Sequence, residues 1–172
     1  MTIFRAKIIH VLHSLENYPL TDTITKRRMI MEIYRSGKGI FVVLKKGEML
    51  MESITDACKK IGIDSGFVSG IGAIEDVLLG AFNTEKREYI KKEFSGSHEL
   101  LSLTGNISKK GNGEYVVHLH CIIGDEDMKV YGGHLFNARV SVTCEIFIHI
   151  EDFGLIRRMD NDTGLFLIKK EG

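Results

Sequence analysis

The chain has 172 residues, 44% of them hydrophobic and 27% charged, enough apolar material for one packed domain and too much for a disordered chain. Lys plus Arg and Asp plus Glu each total 23, so the formal charge is zero and the basic excess usual in nucleic-acid or membrane-surface proteins is missing. One proline and 18 glycines exclude collagen-like and Pro-rich classes and point to many tight turns.

The first 30 residues differ from the rest. Ile8, Val11, Leu12 and Leu15 have helical spacing, but Pro19 and the polar run Thr21–Arg28 interrupt it. The pattern predicts an N-terminal extension over 1–30 and a compact domain over 31–172. Arg5 and Lys7 break the first apolar run, so a signal peptide is not expected. No apolar stretch approaches the ~20 residues of a membrane span. The cysteines Cys58, Cys121 and Cys144 are odd in number and lack a C-x-x-C pair. They fit small buried hydrophobes in a reducing cytoplasm better than a disulfide framework or zinc knuckle.

From Gly39 the punctuation becomes regular. Residues 39–44 (GIFVVL) read as a short strand. Over 48–61, Leu50, Ile54, Ala57, Cys58 and Ile61 share one helical face, with Gly62 as the stop. Strands are then expected at 66–72, 75–82, 89–94, 98–108, 115–123, 129–131, 138–150 and 165–169. One helix followed by a run of strands predicts an α+β domain, a central, mostly antiparallel sheet with the helix packed on it. The glycines of GFVSGIGA (66–73) match neither G-x-G-x-x-G nor a P-loop, and a structural bend or bulge accounts for them. No G-x-S-x-G nucleophile elbow is present.

The chemistry concentrates in VVHLHCIIGDEDMKVYGGH (116–134). On a strand, His118 and His120 project from the same face about 6–7 Å apart, while Val117, Leu119, Cys121 and Ile123 form the apolar face. An acidic turn at 124–127 brings the chain back, so that His134, after two glycines, returns near the pair. Three imidazoles match an open zinc site with one position for water. The alternative is a half-exposed polar strand face with no ligand, His134 capping backbone groups in its turn. His98 and Glu99 are further candidates for a ligand or an outer carboxylate. On 138–150 the alternation puts Ala138, Val140, Val142, Cys144, Ile146, Ile148 and Ile150 on one face. His149 reads there as a surface residue, and Glu145 as lining a pocket or an interface.

Several segments in order carry a wider resemblance: FVVLKKGE (41–48), FVSGIGA (67–73), ELLSLTGNIS (99–108), VHLH (117–120), GGHL (132–135) and TCEI (143–146). From Met31 to Ile150 the chain resembles the plants-and-prokaryotes conserved (PPC) domain family. That resemblance implies an α+β fold assembled as a homotrimer, with the H-x-H and G-G-H histidines, here His118, His120 and His134, as a metal site. Zinc is the default by ligand type, with nickel, iron or cobalt as alternatives. Plant members add AT-hooks, Arg-Gly-Arg-Pro segments that enter the minor groove, but this chain contains none. A DNA-binding or regulatory role is therefore the second expectation. It would need a basic surface made by trimerisation or by Lys26–Arg28, because the five Lys-Lys pairs are scattered and balanced by acids. No motif names a substrate, and Glu99 and Glu145 are the candidates for a general base.

Overall fold

A computed structural model describes residues 31–169; the extension expected over 1–30 lies outside them. The elements in chain order are β1 (Glu32–Ser36), β2 (Gly39–Lys45), α1 (Leu50–Ile61), β3 (Gly66–Asn83), β4 (Glu88–Phe94), β5 (His98–Lys110), β6 (Tyr115–Gly124), β7 (Val130–Ile150), β8 (Ile156–Met159) and β9 (Phe166–Ile168). This is the expected α+β architecture. All ladders are antiparallel except the short β5–β8 pairing. Because β3 pairs β5 and β7 while β6 also pairs β5 and β7, the four long strands close a circuit, and β1, β2, β4, β8 and β9 extend from it.

α1 forms where the apolar spacing predicts it, burying Leu50, Ile54, Ala57 and Cys58, and it ends at Gly62 in the left-handed conformation (φ 78°). Its start falls two residues later than the pattern suggests. The Glu48 carboxylate instead accepts hydrogen bonds from the backbone N–H of Lys45 (2.7 Å) and Met31 (3.2 Å). The helix covers a core built from one face of the strands, with Val42, Leu44, Ile74, Val77, Leu103, Leu119, Ile123, Leu135 and Ile146 buried. Burial of this kind contributes about 25 cal/mol per Å² of apolar surface and is the main term holding the sheet closed. All three cysteines are buried, and burial pushes the Cys58 and Cys144 thiols up to about 12.

The long strands depart from the expected pattern where their register slips. The two strands expected at 66–72 and 75–82 are one, β3, with a shift against β5 between Gly70 and Gly72, as the bulge reading of those glycines anticipated. Gly72 pairs with Cys144 and Ile74 with Val140, so β7 carries two extra residues there. That insertion turns Val142 outward, 65% exposed, although the alternation had placed it on the buried face. Among the described residues no helix is long and apolar enough to cross a membrane.

Candidate metal centre

The three histidines come together through two registers. In the β6–β7 ladder His120 stands opposite His134. His118, two residues before His120 on β6, projects from the same face. The ring centroids lie 5.0–5.2 Å apart in all three pairs, and one ligand nitrogen from each ring falls within 4.8 Å of the others. Among the described residues this is the one group of three or more His, Cys, Asp or Glu side chains placed to share an ion.

Backbone fit makes the convergence specific. A Cβ on Gly105, which pairs with Leu119, would collide with the His118 carbonyl oxygen. A Cβ on Gly133 would come within 2.9 Å of the Gly80 carbonyl. The glycine before His134 thus lets β7 lie close against β3 and brings the third imidazole into line. Tyr89 and Phe136 pack on His134 with ring centroids 5.0 and 4.8 Å away and fix its ring.

The electrostatics keep His118 and His134 neutral. Burial first, then the Arg157 charge and the neighbouring rings, lowers the His118 pKa to about 4. Burial, His120, Arg157 and Lys91 lower that of His134 to about 4. Neutral imidazole is the form that ligates a metal. His134 Nδ1 is buried with no hydrogen-bond partner, an uncommon state for a polar atom and one that a metal bond would resolve. The residues therefore fit a transition-metal ion.

Two cavities flank the centre. One, of about 330 Å³, is lined by Ser102, Thr104, His120, Ile122 and Gly132. The other, of about 200 Å³, lies between His118, His134, Tyr89, Arg157 and Phe166. Neither is lined by a carboxylate. His98 stands elsewhere, its Nδ1 hydrogen-bonded to the Gly96 carbonyl (3.1 Å). His149 pairs with Glu151 (2.8 Å), in keeping with a surface residue. Glu99 and Glu145 are exposed and border neither cavity. Sequence reasoning missed Arg157, whose four-residue strand has no apolar alternation to mark it.

Comparison with known proteins agrees with this architecture. The sequence pattern of the Plants and Prokaryotes Conserved (PCC) domain matches residues 31–151. The chain belongs to that family. A plant- and prokaryote-conserved (PPC) protein from Pyrococcus horikoshii is 34% identical with a TM-score of 0.72, covering 83% of this chain and 96% of its own. A metal-containing protein from Archaeoglobus fulgidus is 35% identical with a TM-score of 0.72, covering 82% of this chain and 99% of its own. A protein from Bacteroides thetaiotaomicron with a provisional DNA-binding label is 29% identical with a TM-score of 0.77, covering 81% and 96%. A search of curated proteins gives no match.

Proposed function

We propose that this PPC protein binds one divalent transition-metal ion, zinc by ligand type, through His118, His120 and His134, and that it works as a cytoplasmic homotrimer. The observation that carries the reading is the convergence of three imidazoles, one with a buried nitrogen that has no hydrogen-bond partner among the described residues. The metal-containing relative from Archaeoglobus fulgidus supports it. Bound there, the ion would supply Lewis acidity at a position that three protein ligands leave open. The chain's own part is to hold His118 and His134 neutral, fix the ring orientations and line the approach with Ser102 and Thr104 on one side and Arg157 on the other. Among the described residues no carboxylate lines either cavity to serve as a general base, so the reading is metal binding and no reaction is assigned.

The trimer rests on the sheet's outer face. Phe67, Asn106 and His118 are register partners across β3, β5 and β6, as are Ser69, Thr104 and His120. The histidines therefore share a face with Phe67 and with Ile71 farther along β3, exposed 52% and 56%. Apolar side chains at that exposure beside a candidate site suit a subunit interface. Zinc titration calorimetry on the wild type and on His118→Ala/His120→Ala tests the metal reading. The expected result is one site per protomer in the wild type and none in the variant; equal binding by both would overturn it.

A DNA-associated role is the alternative, and its support is the provisional label on the Bacteroides relative. Lys45, Lys109, Lys110, Lys129 and Lys169 are each paired with a carboxylate in this chain. Binding to duplex DNA that weakens steeply with salt and beats the ~10⁻⁴–10⁻⁶ M of non-specific association would favour it over the metal reading.

A further inference from the structure

Arg157 borders the centre, and the metal reading gives it no ligand of its own to bind. It reaches from β8 across the outer face and is 6% exposed. Nε donates to Ser108 Oγ (2.8 Å), Nη1 to the Phe166 carbonyl (2.9 Å), and Nη2 to Asn106 Oδ1 (2.9 Å) and His118 Nδ1 (3.0 Å). No carboxylate pairs with it among the described residues. A buried cation without an anion is unfavourable unless its surroundings compensate. Arg157 also lies beyond the part of the chain that matches the family.

The bond to His118 constrains what can happen there. A guanidinium only donates, so His118 Nδ1 must be offering its lone pair. A neutral imidazole has one such lone pair, because its other nitrogen carries the proton. A metal on Nδ1 takes that pair directly. A metal on Nε2 moves the ring proton to Nδ1, which then faces Arg157 as a donor. Either way, Arg157 and the metal compete for His118, and metal loading leaves Nη2 one acceptor short. Among the described residues Nη1 has one acceptor, the Phe166 carbonyl.

These donors border the cavity of about 200 Å³, whose other walls include Tyr89, Val117, Leu165 and Leu167. We propose that Arg157 makes this centre a receptor for a small organic carboxylate, and that carboxylate and metal bind cooperatively. The inference rests on the metal reading above. One guanidinium suits a single negative charge, and apolar walls suit a ligand with a hydrocarbon body over inorganic phosphate. The volume is below the roughly 300–1,000 Å³ of pockets for drug-sized ligands, which limits the guest to a small acid.

Zinc titration calorimetry on the wild type and Arg157→Met tests this, each alone and with saturating L-lactate, lactamide or inorganic phosphate. Lactate should tighten zinc binding on the order of tenfold in the wild type, within the usual range of coupling between sites. Lactamide, its neutral counterpart, should do nothing. Arg157→Met should hold zinc at least as tightly as the wild type without lactate, since the competition for His118 is gone, and should lose the lactate response. The comparison of lactate with lactamide needs only wild-type protein and so survives a variant that folds poorly. Equal responses to lactate and lactamide, a lactate response retained in Arg157→Met, or phosphate matching lactate would each overturn the proposal while leaving metal binding intact. Zinc binding absent from both proteins would sink the metal reading itself, and this inference with it.

Discussion

His120 and His134 face each other directly across the β6–β7 ladder, ring centroids 5.2 Å apart and planes nearly perpendicular at 89°. Cross-strand partners on one face have Cβ atoms about 4.5–5.5 Å apart, so this register alone brings two ligands within reach of one ion. His118 completes the set by strand alternation. The centre is thus a property of sheet register, and anything that shifts β5, β6 or β7 by one residue would dismantle it.

Gly105→Ala tests that dependence. The added methyl would collide with the His118 carbonyl oxygen, forcing β5 and β6 apart. A loss of about 2–4 kcal/mol in urea unfolding is expected, together with weaker zinc binding. Gly111→Ala is the control, because nothing lies within 4 Å of its Cβ. It should change stability by less than about 0.5 kcal/mol.

The pH dependence of metal-free protein follows from His118 and His134. Both have pKa values lowered from 6.5 to about 4, chiefly by burial. Between those limits the unfolded chain binds protons that the folded chain refuses, so stability rises with pH across that window. It should be fully present above about pH 6.5 and lost as pH falls towards 4, with a drop in Tm on the order of 5–10 °C. Melting curves of chelator-treated wild type against His118→Asn/His134→Asn check this: the double variant should show a flatter profile. Identical profiles would mean that these rings do not titrate as described.

The outer face predicts an oligomer. Phe67→Glu with Ile71→Glu places two charges where exposed apolar side chains adjoin the histidine face. Sedimentation equilibrium should give three protomers for the wild type and one for the variant, with the fold retained by circular dichroism. A monomeric wild type would rule out the trimer.

Much of the fold was legible because period and punctuation agreed: α1 with Gly62, and β2, β4, β5 and β6, lie close to where alternation and turns put them. The H-x-H and G-G-H pairing was legible for the same reason, since alternation fixes a face and the acidic turn returns the chain. The failures are tertiary. β3 and β7 run unbroken through irregular stretches, where Asp76 takes a positive φ of 52° and the β3–β7 register slips. No local pattern shows that two short strands are one bulged strand. Val142 turns outward for that reason. β1 (EIYRS) and β8 (IRRM) are too short and too polar to show a period, and they exist because β2 and β5 offer edges. Arg157 was invisible with β8, its role being set by Asn106, Ser108 and His118, at least 39 residues away in sequence.

Metal content per protomer is the most direct test of the central claim. Elemental mass spectrometry on untagged protein, wild type and His134→Ala, would follow zinc reconstitution and desalting. The account predicts about one equivalent of zinc in the wild type and almost none in His134→Ala, because His134 supplies the third nitrogen and its buried Nδ1 has no other partner. A wild type without bound metal after reconstitution, or a variant that keeps a full equivalent, would contradict it.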